Sequence, residues 1–259
     1  MSVNLSLSGK VALISGGSRG IGAATVRMFA AAGAEVVFSY RSARAQAQAL
    51  ARECGENCHP VVSELNSPVS ARALVAETVK HSGRLDILVA NHGVWPPEDV
   101  AIDCMSDEQW HSTMAINLDA VFGLVKHAVA QMKSQPQIHK TGGHIVLISS
   151  TSGQRGEAFH CDYSATKGAL ISMTKGLSNE LAPARIYVNC VAPGWVNTDM
   201  SAGALADPKI GETIRRTIPL GRAATPAEIA APILFLCTEH ASFITGEVFN
   251  VNGGAVLAG

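Results

Sequence analysis

The feature of this sequence that most constrains its fold is a series of short, continuously apolar runs separated by segments with helical periodicity. Strands that are apolar on both faces are typical of a parallel sheet covered by helices, because both faces of each strand are buried. Runs of this kind predict strands at residues 11–14, 35–38, 61–62, 85–90, 144–149, 187–191 and 248–251. Helical patterns lie between them, at about residues 21–32, 43–53, 68–81, 107–132, 164–181 and 226–237.

The alternation of strands and helices predicts how they assemble. Right-handed crossovers between parallel strands give an α/β fold, a Rossmann-type doubly wound sheet of about seven parallel strands with helices on both faces. An α/β barrel would need eight strand–helix units. No linker, repeat or low-complexity segment divides the chain, so we predict a single domain over residues 1–259. The segment at about 195–219 is expected to lie over the carboxyl edge of the sheet as a substrate loop or lid.

Charge and hydropathy exclude several classes of partner. The chain has 20 basic and 21 acidic residues and no run of like charge, which argues against nucleic acid and anionic membrane surfaces. The longest apolar stretch, at 229–237, is about half the length of a membrane span and contains Pro232. The first residues lack a basic leader before an apolar segment, so we expect a cytoplasmic protein.

The six cysteines do not form a recognisable metal motif. Cys54, Cys58 and His59 lie close in sequence, but no C-x-x-C pair or later histidine pair completes a zinc ligand set. Buried, reduced thiols and no metal are therefore the prediction.

The first predicted strand ends in a glycine-rich turn, Ser15-Gly16-Gly17-Ser18-Arg19-Gly20-Ile21-Gly22. Glycines permit a tight turn and close backbone approach, and the free N–H groups of the following helix attract a pyrophosphate. The turn therefore indicates dinucleotide binding. A turn that serves only the chain reversal is the alternative interpretation.

A tyrosine and a lysine lie four residues apart in a predicted helix. Tyr163 and Lys167 share one helix face, and a nearby ammonium lowers the pKa of a phenol, which makes it a usable acid/base at neutral pH. Ser150 directly follows the predicted strand at 144–149, at the sheet edge where such folds carry their chemistry. Together these groups favour carbonyl reduction beside a nicotinamide. An ordinary solvated helix face is the alternative for Tyr163 and Lys167 alone.

With these motifs in order, the sequence resembles the classical short-chain dehydrogenase/reductase family over essentially its whole length. The glycine turn is similar to the family's T-G-x-x-x-G-x-G, with Ser15 in place of threonine. Ala90-Asn91-His92-Gly93 is similar to its N-N-A-G, with Ala90 and His92 as departures. The resemblance implies a catalytic tetrad of Asn117, Ser150, Tyr163 and Lys167, in which Asn117 helps to hold a water for proton exchange with Lys167.

The same resemblance implies the cofactor-binding residues. Pro193-Gly194-Trp195-Val196-Asn197-Thr198 is similar to the family's nicotinamide segment, and Glu64-Leu65 takes the place of its adenine-side pair. The implied set is Gly16, Ser18, Arg19, Gly20, Ile21, Gly22, Ser39, Arg41, Glu64, Leu65, Asn91, Gly93, Tyr163, Lys167, Pro193, Gly194, Val196 and Thr198.

The chain after the second strand favours NADP(H) over NAD(H). An acidic residue there would bind the ribose 2′-hydroxyl of NAD, but Ser39 takes that position. Arg41 and Arg19 can instead hydrogen bond a 2′-phosphate. A solvated Arg41 without a ligand role is the alternative.

The expected substrate is a small carbonyl compound or the matching alcohol. Trp95, Ser150, His160 and Trp195 are candidate pocket residues, and aromatic walls suit an apolar or cyclic ketone. The leading hypothesis is NADP-dependent interconversion of a ketone and a secondary alcohol. The alternatives are a 3-oxoacyl-(acyl-carrier-protein) reductase and, outside enzymes, a nicotinamide-binding sensor or scaffold. The resemblance also implies a homotetramer.

Overall fold

A computed structural model describes residues 4–257, so the first three and last two residues of the predicted domain lie outside the described residues. The described residues form one sheet of seven parallel strands in the order β3-β2-β1-β4-β5-β6-β7. The predicted fold class is confirmed. The strands are β1 (Val11–Ile14), β2 (Glu35–Tyr40), β3 (Cys58–Val62), β4 (Ile87–Ala90), β5 (Gly143–Ile148), β6 (Ile186–Pro193) and β7 (Val248–Val251).

Helices cover both faces of this sheet. Helices α1, α2 and α10 pack on one face, and α3, α5 and α7 on the other. The helices are α1 (Gly20–Ala31), α2 (Arg44–Cys54), α3 (Pro68–Ser82), α4 (Asp107–Met114), α5 (Ala120–Ser134), α6 (Thr151–Arg155), α7 (Cys161–Leu181), α8 (Ala202–Ala206), α9 (Pro208–Thr217) and α10 (Pro226–Leu236).

The two cores explain why the central strand β1 is apolar on both faces. In β1, Ala12 and Ile14 face the α1 side, whereas Leu13 faces the α3 side. Successive side chains of a strand point to opposite faces, so both sets must be apolar when both faces are covered.

Several predicted boundaries differ from the structure, among them the strand predicted at 61–62, which begins at Cys58. Two further differences have a clear physical reason. The helix predicted at 107–132 is interrupted by a π-helical turn at Ala115–Asp119, which separates α4 from α5. The strand predicted from residue 85 begins at Ile87, because Leu85 and Asp86 bond to side chains and to β1 before the ladder starts. Apolar pattern does not distinguish these interactions from strand pairing.

The segment predicted as a lid contains two helices, α8 and α9. Asp207 caps α9 by accepting hydrogen bonds from the N–H groups of Lys209 and Ile210. The start of the segment pairs with the chain just beyond its end, since Ala224 donates to Trp195 and accepts from Asn197 at 2.9 and 2.8 Å. The segment is thus closed at its base.

Within residues 4–257, no helix is both long enough and apolar enough to span a bilayer.

Candidate active site

A cleft of about 350 Å³ opens at the carboxyl edge of the sheet. It is lined by the loops that follow β1 to β6. Strand order reverses between β1 and β4, and a crevice forms where the connections from these strands diverge to opposite faces. The fold therefore creates this cleft from backbone topology alone.

The glycine turn after β1 forms one wall of the cleft through backbone contacts. Gly16 and Gly20 have φ of 66° and 54°, a region that favours glycine. A Cβ on Gly22 would collide with the carbonyl oxygen of Gly16, so only glycine lets α1 begin this close to the turn. Asn91 secures the turn by donating to the carbonyl oxygens of Ser15 and Gly16 at 3.0 and 3.1 Å.

The start of α1 has the properties of an anion site. Its N-cap residue, Arg19, makes no side-chain cap, and its first turn contains no acidic residue. By contrast, Ser67, Asp207 and Thr225 cap helices α3, α9 and α10. An uncapped N-terminus at the cleft leaves N–H donors and a partial positive charge for a ligand phosphate. The residues present therefore fit a dinucleotide.

The end of β2 forms the part of the cleft expected to hold the adenosine. Ser39 is buried, and its Oγ accepts a hydrogen bond from Gly16 N at 3.0 Å, which holds the glycine turn against β2. Arg41 is exposed and lines the cleft. Arg19 also lines it and lies 3.6 Å from Asp199 across the opening. Both cations are thus available to a phosphate, and Leu65 adds an apolar surface.

Ser150 and Tyr163 lie at the centre of the cleft. Ser150 is the N-cap of α6 and accepts a hydrogen bond from Ser152 N at 3.1 Å, which orients its hydroxyl. Tyr163 projects from the first turn of α7 and hydrogen bonds with Ser150. The pKa of Tyr163 is raised to about 12, mainly by removal from water; the Ser150 hydroxyl opposes this shift and the nearby Glu157 adds to it. The phenol is therefore held in its proton-donating form.

Lys167 lies one helical turn further along α7. Its Nζ is 5.6 Å from the centre of the Tyr163 ring and donates to the carbonyl oxygen of Ile148 at 2.8 Å. Burial lowers the pKa of Lys167 to about 8. The pKa of Tyr163 is thus raised and not lowered as expected, because desolvation of the phenol outweighs the influences that favour the phenolate. The predicted proximity of the two groups is present.

Asn117 lies behind the cleft, in the π-helical turn. Its side chain is buried and bonds both ways with the backbone of Val94, accepting at 2.8 Å and donating at 2.9 Å. It also donates to Thr166 Oγ1 at 3.3 Å. Extra turns of this type occur frequently at functional sites. Asn117 thus joins the loop after β4 to the helix that carries Tyr163.

Asp162 has a supporting role that sequence reasoning missed. It is fully buried and accepts hydrogen bonds from Thr113 Oγ1 and from the N–H of Tyr163, both at 2.8 Å. Asp162 therefore holds the first turn of α7 against α4. Its position beside Tyr163 was the only sequence signal, and a partner 49 residues away in sequence is not visible from spacing.

An aromatic group forms the outer wall of the cleft. The Trp95 ring stacks on His160 at 4.9 Å and meets Trp195 edge to face at 6.1 Å. Both tryptophans line the cleft. His160, predicted as a pocket residue, does not: it is buried behind Trp95, and its Nε2 donates to the carbonyl oxygen of Pro96 at 2.9 Å. The His160 ring therefore supports Trp95 from behind, and its hydrogen bond to the Pro96 carbonyl holds it in place.

His92 also borders the cleft, where the family pattern has alanine. Its Nδ1 is 2.8 Å from Ser15 Oγ, so the two departures from the pattern contact each other. Burial, together with the charge of Lys167, lowers the pKa of His92 to about 4. A neutral imidazole thus lies beside the glycine turn.

The cleft brings together residues from position 16 to position 201 of the chain. All predicted cofactor residues line it, as do Ser150, Trp95 and Trp195, whereas Asn117 and His160 lie behind it. Further lining residues had no sequence signal, among them Tyr40, Ser42, Asn66, Arg155, Glu157 and Met200.

Comparison with known proteins gives matches over almost the full chain. A family model described as enoyl-(acyl carrier protein) reductase matches residues 16–256. The 3-oxoacyl-[acyl-carrier-protein] reductase of Aquifex aeolicus is 38% identical over 255 residues, covering 97% of this chain and 99% of that protein.

Two solved structures are similar throughout. A 3-ketoacyl-(acyl-carrier-protein) reductase from Brucella melitensis, complexed with NADH, is 30% identical with a TM-score of 0.88, covering 97% of this chain and 100% of that one. A short-chain dehydrogenase from Burkholderia cenocepacia, in complex with NADP, is 32% identical with a TM-score of 0.86, covering 96% and 98%. The predicted family and oxidoreductase class are confirmed, and the chain belongs to the short-chain dehydrogenase/reductase family.

Proposed function

We propose that this protein interconverts a ketone and a secondary alcohol with NADP(H) as its hydride carrier. The observation that carries the proposal is the meeting of Ser150, Tyr163 and Lys167 on a cleft whose other end is a glycine turn and an uncapped helix. When bound, the nicotinamide cofactor supplies or accepts the hydride. The two solved relatives bind NADH and NADP, which supports a nicotinamide cofactor for this chain.

Each residue of the site has a separate task in this reaction. Tyr163 donates its proton to the substrate oxygen during reduction and accepts it during oxidation. Ser150 Oγ hydrogen bonds to the same oxygen and orients it. Lys167, through its ammonium group, favours the phenolate that forms. Asn117 positions the helix that carries Tyr163. It also helps to hold the water through which Lys167 exchanges protons, as the family resemblance implies.

Two substrate classes are candidates. Trp95 and Trp195 present flat apolar surfaces, which favour an apolar or cyclic ketone. The name of the Aquifex relative favours a 3-oxoacyl thioester instead. A panel of cyclic ketones and 3-oxoacyl thioesters, free and carrier-bound, separates the two classes by their kcat/KM.

The test follows reduced-nicotinamide absorbance with NADPH and NADH supplied separately against that panel. We expect turnover with NADPH, and we expect Tyr163→Phe to lose it by about 10²- to 10⁴-fold while it still binds the cofactor. Tyr187→Phe is the matched control, since that tyrosine stacks on His144 away from the cleft. Undiminished turnover in Tyr163→Phe would exclude the mechanism. Cofactor binding without turnover on the whole panel would favour the sensor or scaffold.

We also propose a cytoplasmic homotetramer of single-domain subunits, with the segment at 195–219 as a substrate lid. Support for association comes from the family resemblance and from the open edge of β7, beside which Phe243 is fully exposed. Light scattering during size-exclusion chromatography measures the oligomeric state directly. A monomeric mass would exclude the tetramer.

A further inference from the structure

A second group of ligating side chains lies at the opposite edge of the sheet from the cleft. Glu35, His59 and His81 each offer one ligand atom, and these atoms all lie within 4.8 Å of one another. Glu35 begins β2, His59 is the second residue of β3, and His81 lies in the last turn of α3. Three elements that are separate in sequence thus converge here.

Strand register explains the convergence. His59 pairs with Val37, and Glu35 lies two residues earlier on β2, so both side chains project from the same face of the sheet. Helix α3 packs on that face, and its end brings the His81 ring to 3.9 Å from the His59 ring, centre to centre. The Nε2 atom of His59 lies 3.8 Å from Glu35 Oε1.

We propose that these three side chains bind a divalent transition-metal ion, with zinc as the preferred ion. Two imidazoles and one carboxylate form a common three-ligand zinc set, and the remaining position is filled by water. Zinc–ligand bonds of about 2.0–2.2 Å would bring the donor atoms closer together than in this structure. His81 is exposed at a helix end and can make that movement.

The surroundings of the group resemble an outer coordination shell. Ser82 donates a hydrogen bond to Glu35 Oε1, which orients the carboxylate toward the two rings. Glu35 and His59 keep about a third of their side-chain surface exposed, so an ion can reach them from solvent.

The site has a structural role, because it lies far from the cleft. From Glu35 to Tyr40, β2 extends about 17 Å at about 3.3 Å per residue. A bound ion joins β2, β3 and α3. The loops after β2 and β3 form the part of the cleft that is expected to hold the adenosine. This replaces the expectation of no metal: His59 is a ligand in the proposal, but Cys54 and Cys58 are not.

The test uses the full chain after chelator treatment, with Co²⁺ as a spectroscopic probe and Zn²⁺ as its competitor. We expect one Co²⁺ per chain, visible bands of a nitrogen- and oxygen-ligated ion, and displacement by Zn²⁺. Glu35→Gln and His81→Ala should each weaken binding by at least about tenfold, since even loss of an outer-shell partner commonly costs that much. His111→Ala is the control, as an exposed histidine on α4 outside the group.

Thermal unfolding provides a second measurement. At one Zn²⁺ concentration that saturates the wild type, the midpoint should rise equally in the wild type and in His111→Ala, and by less in His81→Ala. Equal metal-free midpoints would show that His81→Ala folds normally. No Co²⁺ binding, binding that both variants retain, or a thiolate charge-transfer band from Cys54 or Cys58 would each overturn the proposal. Reductase activity is not a readout, so these results are independent of the proposed function.

Discussion

The two edges of the sheet bury polar groups in different ways. At the amino edge, the Asp86 carboxylate accepts hydrogen bonds from Val11 N at 2.9 Å, from Arg84 at 2.7 and 2.8 Å, and from Gln135 at 3.4 Å. At the carboxyl edge, Lys167 donates to one described acceptor, Ile148 O, although an ammonium has three protons to donate. The Asp86 carboxylate thus has its hydrogen-bond partners within the protein, whereas the Lys167 ammonium has hydrogen-bond donors left for a ligand.

The difference separates residues that stabilise the fold from residues that serve the reaction. Removing one partner of a fully paired buried charge costs much folding stability. A buried charge that has few partners itself lowers the stability of the fold. The cleft accordingly holds groups with displaced pKa values, namely His92, Tyr163 and Lys167. Four variants test this distinction.

Lys167→Met should reduce catalysis at the carboxyl edge and at the same time stabilise the fold. We expect turnover to fall at least about 100-fold, and stability at pH 7 to rise by about 1–3 kcal/mol. Because burial lowers the pKa of Lys167 from 10.5 to about 8, the folded wild type carries a desolvation penalty below pH 8. That penalty is relieved as pH rises toward 10.5, so the wild type gains stability over this range and the variant does not. Urea unfolding at pH 7 and pH 9.5 measures the stability of both proteins and its dependence on pH. A variant less stable than the wild type at pH 7 would contradict the distinction.

Asp86→Asn should show the opposite pattern. The new amide places donor hydrogens against Val11 N and Arg84, so we expect about 3 kcal/mol of lost stability. The kcat of the folded enzyme should stay unchanged, since the site lies at the other edge. Glu77→Gln, in an exposed pair with Lys80, is the control with an expected loss below about 1 kcal/mol. A matching loss of kcat in Asp86→Asn would show that the two edges are coupled.

His144→Phe should reduce the sensitivity of the amino edge to acid. Burial and the neighbouring Lys10 charge lower the pKa of His144 from 6.5 to about 3. Between these pH values the unfolded chain binds the proton and the folded chain does not, so stability falls as pH falls, by about 1.4 kcal/mol per pH unit. At pH 5, the variant should be spared about 2 kcal/mol of this loss. Denaturant unfolding from pH 7 to pH 4 measures the slopes, and parallel slopes would show that His144 does not contribute.

Arg41→Ala should have the smallest effect, confined to cofactor choice. We expect the ratio of kcat/KM with NADPH to that with NADH to fall about tenfold, or about 1.4 kcal/mol. Arg44→Ala is the control, because Arg44 is exposed at the start of α2 but does not line the cleft. An unchanged ratio in Arg41→Ala would assign 2′-phosphate recognition to other residues, with Arg19 as the next candidate.

Local sequence patterns predicted the features that depend on local geometry. Continuous apolar runs predicted the central strands β1 and β4, because burial on both faces removes any alternation. The edge strand β3 is only partly buried and contains His59 and Pro60, so its apolar run covered only its last two residues. The spacing of Tyr163 and Lys167 predicted a shared helix face, because residues four apart always lie together on a helix.

Features that depend on distant partners could not be predicted in this way. The support of Tyr163 by Asp162 needs Thr113, and the position of His160 behind Trp95 needs the carbonyl of Pro96. Glu35, His59 and His81 meet only after strand register and the end of α3 are known. No local pattern contains this information.

The π-helical turn at Ala115–Asp119 has a consequence for how the chain can evolve. An α-helix turns about 100° per residue, so loss of one residue here would rotate α5 relative to α4 by that angle. Either Asn117 would leave Val94, or the apolar face of α5 would leave the core. Substitutions can accumulate gradually along this pair of helices, but a change of length acts on the cleft and the core at once. The spacing between Thr113 and the buried face of α5 should therefore be inherited as a unit, even where the residues between them vary.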